Sequence, residues 1–461
     1  MSAIDEWLSN PSSIWLSSFG FKSDAHPETI QSMTLVKPPF AGLDRRVAFL
    51  RATLLTAASL GLIASLPAWM NTRSFPLVPI VPAFPILPSP GDKVLLGAML
   101  AALIVALWSY RVGVMVFLCT SFFAFCEDQN RGQPWLYMYW VMLALSLASS
   151  PVSVAACRIA MPVVYFWSGV QKLNHGFFAV IPGWFVTPAV KWHWPAPIIE
   201  ALKAGVAAAP FIEIALAILL WIPRLRSSTI AAALVLHSVS LIFLGPLGYN
   251  YNWVVWPWNA AMMALVWGLF SRSRFFKDSV RDSAEKSATM PGSVSPKKPI
   301  AKSVEPAIAV SSIGETLRQL CNSRPACLAL LLYALLPLLS FGGWWDSYFS
   351  FSLYAENAAR ANIFITQTFA DRLPVELRKY VQPFAAPYDP QHQGPLMLGF
   401  DPWCYEELHV PPIPEVRNFK GIFNHLKRYA QRPEELRMVI GPRHGPVIFL
   451  QGDDIELLRR K

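Results

Sequence analysis

The strongest constraint on this chain is its series of apolar runs. A bilayer core about 30 Å thick needs roughly 20 apolar residues in helical conformation to cross it. The runs at 49–70, 94–110, 112–126, 135–149, 152–171, 203–222, 228–244, 253–270 and 326–345 reach or approach that length. The chain therefore reads as an all-α polytopic membrane bundle of about nine transmembrane helices, followed by a small α+β extracytoplasmic C-terminal domain. Composition supports this. Only 15% of the 461 residues are charged, against about 25% in soluble domains. The polar first 47 residues lack a secretory leader pattern, so the first span is expected to remain as an anchor.

Orientation follows from lysine and arginine in the short connections. Arg45 and Arg46 precede the first span, Arg111 separates the second and third, and Arg224 and Arg226 separate the sixth and seventh. The segment 271–320 carries nine basic and five acidic residues. Placing all four on the cytoplasmic side closes the alternation. The loops at 71–93, 127–134, 172–202 and 245–252, and everything after 345, then face outside. The expected division is a cytoplasmic segment (1–47), eight spans (48–270), a flexible basic loop (271–323), a ninth helix (324–345) and an outer domain (346–461). The net charge of +10 is assigned to positive-inside loops, not to a nucleic-acid partner.

Two connections are compositionally distinct. In "FPLVPIVPAFPILPSP", proline recurs at 76, 79, 82, 85 and 88, which predicts a polyproline-like or otherwise stiff connector. The Ser-, Lys-, Ala- and Pro-rich stretch 274–323 has too little apolar surface to order itself. In the tail, "YFSFSLY", "NIFITQ", "LRMVIG" and "PVIFLQG" read as strands, and 415–430 as a helix. Asp401, Cys404, Glu406, Glu407 and His409 in "DPWCYEELHVPP" could ligate a metal, but their spacing fits no recognised site and reads as a polar loop. The six cysteines form no CxxC pair, and no metal is indicated.

Five stretches could carry chemistry. In "YFWSGVQKLNHGFF", Lys172 stands at the outer end of the fifth span. One reading is an ammonium snorkelling to the headgroups. The other is an amine kept dry by neighbouring helices, uncharged and able to act as a base. "CEDQNRGQPW" (126–135) is either a solvated turn or a hydrogen-bonded cap over a site. Glu213 and His237 lie inside spans, each nine residues from its helix's cytoplasmic end, about 13 Å deep at ~1.5 Å per residue. That depth suggests a Glu213–His237 hydrogen bond, structural or catalytic, with Lys172 higher, so that the three need not touch directly. "GPLGYNYNWVVWPWN" (245–259) is either an aromatic belt or the lip of a flat-ligand site.

The stretch "YFWSGVQKLN" resembles the YF-x-x-G-V-x-K-L segment of the vitamin K-dependent gamma-carboxylases and their bacterial relatives, the HTTM (horizontally transferred transmembrane) domain proteins. The similarity extends in patches over about 45–270, including "FIEIALAILLW" and "LVLHSVSLIFLG". It implies Lys172 as a catalytic base toward a reduced, vitamin K-like quinone, with His237 and Glu213 as further catalytic residues. It also implies a bacterial inner-membrane location. The candidate quinone-contacting set is Asp128, Arg131, Gln133, Trp135, Tyr165, Gln171, Asn174, Tyr249 and Asn250. The carboxylases carry an Asn-His pair in an early span, whereas the first four spans here contain no histidine. The carboxylases' large lumenal region is also reduced to about 115 residues after 345. Both departures turn the expectation from peptide carboxylation toward quinone-linked oxidation or modification of a small or lipid substrate. The alternatives are a DoxX-like accessory subunit that binds quinone or lipid and recruits a protein partner through the outer domain, or a transporter.

Overall fold

Each apolar run forms a helix, but the helices are not all long enough to span. A computed structural model describes residues 39–40, 42–276, 310, 312–384 and 395–451. In chain order the bundle comprises α1 (Arg45–Ala64), α2 (Gly91–Val105), α3 (Tyr110–Glu127), α4 (Pro134–Leu145), α5 (Ser150–Lys172), α6 (His175–Phe185), α7 (Thr187–Lys191), α8 (Ala196–Leu219), α9 (Arg226–Leu244) and α10 (Val255–Phe270). After the basic segment come α11 (Ile313–Cys321) and α12 (Arg324–Leu335), the latter continued by 3-10 turns to Gly342.

Six of these, α1, α3, α5, α8, α9 and α12 with its extension, are long and apolar enough to cross a membrane. The expected nine is not reached by length among the described residues. Helices α2, α4 and α10 have 15, 12 and 16 residues. The runs that suggested full spans there include turn residues. Leu107–Ser109 end the second run, and Ser146 closes α4 by bonding back to Leu143 O at 2.6 Å.

Helix α5 is central. Its window is 78% buried, against 17% for α8 and 33% for α9. It packs against α4, α8, α10, α11 and α12. The outer helices instead keep large apolar side chains exposed, among them Leu60, Ile104, Phe211, Val235 and Leu328. Helices apolar on both faces suit a lipid environment.

At one end of the bundle, arginines cap neighbouring helices. A helix C-terminus leaves carbonyls without intrahelical partners, and cations are favourable there. Arg46 donates to Gly268 O and to Ser271 O, and Arg158 Nε donates to Leu269 O at 2.8 Å, closing α10. Arg51 reaches Ser146 O behind α4, and Arg226 Nε reaches Leu220 O behind α8.

The opposite end is closed by the tail. Strands β1 (Arg360–Ile365), β2 (Val381–Pro383), β3 (Leu396–Leu398), β4 (Leu436–Gly441) and β5 (Ile448–Gln451) form one antiparallel sheet in the order β2-β3-β1-β4-β5. Ile363 faces Met438 on one side and Leu398 on the other, and all three are buried. The chain also forms α13 (Gln367–Arg372), α14 (Val375–Arg378), α15 (Phe400–Leu408) and α16 (Val416–Leu426). Phe419, Ile422, Phe423 and Leu426 of α16 are buried, and this helix packs on β4. The α+β character and the 415–430 helix stand as expected, with 427–429 a 3-10 turn. "YFSFSLY" does not form a strand. Its Phe/Ser alternation instead folds into a 3-10 turn at Tyr348–Ser350, with Phe351 and Tyr354 in left-handed backbone.

Residues from Gly42 onward cluster as one compact unit. The tail is joined to the bundle through buried polar bonds. Asn130 Oδ1 accepts from Ile413 N and Asn418 Nδ2, and Gln133 donates to Pro411 O. The proline-rich connector is anchored by its backbone, with Ile80 N on Cys126 O and Gln129 N on Val78 O. Most of the loop expected at 271–323, like residues 1–38, lies outside the described residues. Its C-terminal part is the helix α11, capped by Ser312.

Candidate functional site

A cavity of about 680 Å3 lies among α5, α6, α8, α9 and α10, with Phe351, Leu353 and Tyr354 of the tail completing its lining. Its wall is mostly apolar and aromatic, including Phe177, Trp184, Phe185 and Trp258. The polar groups come from a few side chains. On α5, Tyr165, Ser168 and Lys172 stand three and four residues apart, so they share one helix stripe.

Lys172 and Glu213 meet. The Lys172 Nζ donates to Glu213 Oε2 at 2.7 Å and Oε1 at 2.9 Å. It also contacts Ser168 Oγ at 2.5 Å and Ser168 O at 3.2 Å. Helical side chains lean toward their N-terminus, so a lysine at the helix end reaches back one turn. Gly169 makes the approach of the partner helix possible. A Cβ there would stand 2.5 Å from Pro210 O and 2.8 Å from Ile214 Cγ1 of α8. The two helices therefore touch through backbone, which places residue 213 opposite residue 172.

One expectation is extended and one corrected. Lys172 is not an isolated amine, because a carboxylate faces it and acceptors surround its protons. Glu213 and His237 do not pair. His237 Nε2 is 2.7 Å from Tyr165 Oη, and its Nδ1 is 2.7 Å from Asn259 Oδ1. Asn259 Nδ2 donates to Val255 O at 2.8 Å, which turns Oδ1 toward the imidazole. An acceptor at Nδ1 requires the proton there. In the neutral ring, Nε2 then accepts from the Tyr165 hydroxyl. The chain Tyr165–His237–Asn259 thus has a defined direction.

The roof carries unusual backbone. Phe351, Tyr354 and Glu356 have φ of 60°, 54° and 57°. Non-glycine residues rarely adopt this region, at a cost of order 1–3 kcal/mol each, and such residues gather at ligand sites. Tyr354 stacks on Trp184, which in turn stacks on Tyr249 with ring centres 4.6 Å apart.

Of the sequence-derived set, Lys172, Glu213, His237 and Tyr165 line the cavity. Tyr249 supports its wall through Trp184. Asn174 caps α6, accepting from Phe177 N and donating to Ala355 O, and so holds the roof. Gln171 ties Ser340, Asn357 and Arg443 together on the other side of α5. Asn250 turns the α9–α10 loop with φ 53°. Asp128, Arg131, Gln133 and Trp135 do not line the cavity and do not cap it. Arg131 bonds Ala68 O, Ala124 O, Asn71 Oδ1 and Glu127, while Asp128 pairs with Arg73. Trp135 fills the space left by Gly61. Their polarity serves a buried joint between loops and tail. Ser168 and Asn259 lie outside the sequence-derived set, although Ser168 stands four before Lys172 and Asn259 closes the aromatic loop.

The "DPWCYEELHVPP" residues disperse. Glu406 pairs with Lys379, Glu407 accepts from Ser74 N, Cys404 is buried and His409 stacks on Trp253. Among the described residues no group of three or more His, Cys, Asp or Glu is placed to hold a metal. No protein-family model, curated protein or solved structure matches the chain.

Proposed function

We propose that the chain is an integral membrane enzyme that receives a reduced isoprenoid quinone in this cavity and uses the Lys172–Glu213 pair to take up one proton. One observation carries the reading. A carboxylate–ammonium pair lies in the wall of an apolar, aromatic-lined cavity of a volume typical of small-molecule sites. When bound, a reduced quinone supplies an ionisable ring hydroxyl and two electrons. The aromatic side chains Phe177, Trp184 and Tyr354 would hold its ring, and the aliphatic wall of α8 and α9 its isoprenoid tail.

An ammonium has no lone pair, so within the pair the Glu213 carboxylate is the group that would accept one proton. The ammonium then faces any negative charge that develops nearby, an arrangement favoured in a dry site. Ser168 holds Lys172 in that position. Tyr165, directed by His237 and Asn259, adds a fixed hydroxyl to the same wall. This modifies the role that the resemblance to the gamma-carboxylases implies, where lysine alone is the base. Oxidation or carboxylation of a small or lipid substrate remains the class of reaction proposed. On the positive-inside argument the tail faces outside a bacterial inner membrane, where it would meet a protein partner.

One observation favours the DoxX-like reading of binding without chemistry. The Lys172 protons are already taken up by Ser168 and Glu213. Mass spectrometry of copurifying lipids, with dioxygen consumption on added menaquinol, separates the two. Gly205 lines the cavity and a Cβ there meets nothing within 4 Å, so Gly205→Phe fills the space without a backbone clash. Quinone is expected in the wild type and in Lys172→Ala, but not in Gly205→Phe. Only the wild type should turn over. Quinone in none of the three preparations overturns the proposal. Retention with no turnover in any preparation leaves the accessory reading, and turnover unchanged in Lys172→Ala overturns the role given to the pair.

A further inference from the structure

A second cavity, of about 430 Å3, opens at the arginine-capped end of the bundle between α9 and α10. Its lining divides cleanly by chemistry. Arg226, Ser227, Ser271, Arg272 and Ser273 supply two guanidinium groups and three hydroxyls. Pro223, Ile230, Trp267 and Phe270 supply an apolar floor. Among the described residues no carboxylate lines it.

Two of these polar groups are buried without a partner among the described residues. Arg226 is 3% exposed, and its Nε is used by Leu220 O, yet its Nη1 has no acceptor. The hydroxyl of Ser271, itself 8% exposed, is also without one. A buried unsatisfied donor costs about 1–3 kcal/mol, more when charged, so such atoms in one cavity mark a place where a ligand completes the bonding. Both can donate, and a guanidinium is a fork matched to phosphate oxygens. The cavity also lies at the N-terminus of α9, which has no side-chain cap. The helix dipole favours an anion there.

We propose that this cavity is a phosphate-binding site, with Arg226 and Ser271 as its buried donors, Arg272 at its mouth and the apolar floor set for an acyl chain. The anion comes from a phospholipid headgroup or from free phosphate, the two sources of the same chemistry. The site is separate from the Lys172 cavity and independent of the reaction proposed there.

The test uses the full chain, delipidated in detergent, with native mass spectrometry against added phosphatidylglycerol, phosphatidylcholine and inorganic phosphate. Arg226 also closes α8, so Arg226→Gln is paired with Ser271→Ala and Arg272→Gln, which leave that cap intact. The wild type is expected to bind phosphatidylglycerol at least tenfold more tightly than the Ser271→Ala/Arg272→Gln double variant. If millimolar inorganic phosphate displaces the lipid, free anion is the natural occupant. If it does not, the lipid is. Equal binding of both lipids by the wild type and the double variant, with no effect of phosphate on either, overturns the proposal.

Discussion

Gly169 and Pro210 are in backbone contact across two helices, and the Lys172–Glu213 pair stands one turn away from that contact. A methyl group at 169 would sit 2.5 Å from the Pro210 carbonyl oxygen and 2.8 Å from Ile214 Cγ1. Gly169→Ala is therefore expected to push α8 from α5 and to destabilise the bundle by about 1–3 kcal/mol, the usual range for overpacking. Thermal unfolding in detergent, read by circular dichroism, checks the loss. An unchanged midpoint would mean that the helices yield at no cost.

The ion pair itself is nearly buried, with side chains 11% and 13% exposed. Removing one partner strands the other charge. Lys172→Met and Glu213→Leu are each expected to cost about 3–5 kcal/mol, whereas the double variant should cost less than either alone. A double-mutant cycle by chemical denaturation measures this coupling. Additive losses would show that the two groups do not interact.

Tyr165→Phe removes the hydroxyl 2.7 Å from His237 Nε2 and leaves that buried nitrogen without its donor. The expected cost is about 1–3 kcal/mol. Nitrogen-15 chemical shifts of the imidazole should move at Nε2 and stay near their wild-type value at Nδ1, where Asn259 is retained. Equal movement at both nitrogens would contradict the assigned direction of the chain.

At the tail joint, Asn130→Ala takes the acceptor from Ile413 N and Asn418 Nδ2. Each orphaned buried donor costs about 1–3 kcal/mol. Hydrogen exchange at 411–419 is expected to accelerate, while exchange in α5 stays slow. Acceleration throughout would mean that joint and bundle unfold together.

Glu435 gives the tail a signed pH dependence. Burial alone would raise its pKa, but the N–H groups of Gln431 and Arg432 and the Arg372 guanidinium hold it below the usual 4.5. A depressed folded-state value stabilises above the unfolded pKa, and that contribution is lost as pH falls through the folded value. The wild type should exceed Glu435→Gln in melting temperature at pH 7, with the difference shrinking toward pH 4. A difference that grows in acid would reverse the assignment.

Hydropathy made the helices legible, because an apolar run must be buried or face lipid whichever neighbours it meets. It did not separate spans from short helices, since Leu107–Ser109 and Ser146–Ser149 read as continuous with their runs. The Glu213–His237 pairing rests on depth along ideal helices. Depth says nothing about rotation or about the reach of a lysine side chain, and α8 starts at Ala196, well before the expected 203. Likewise the polar 126–135 stretch looked like a solvated turn or a cap. Only the tail, folding back from nearly 300 residues away, turns Asn130 and Gln133 into buried groups. Lys172 stood out in the sequence because a charge at the end of an apolar run is conspicuous. Ser168 and Asn259 did not, because small polar residues in helices rarely are.

The Lys172 cavity takes its walls from residues 164–262 and its roof from residues 351–354. Synthesis runs from the N-terminus, so every wall is made before the roof exists. The chamber is an open trough until nearly a hundred further residues have emerged and the segment after α12 has come back over it. Whatever enters early can leave again, and retention begins only when the 351–354 segment is in place.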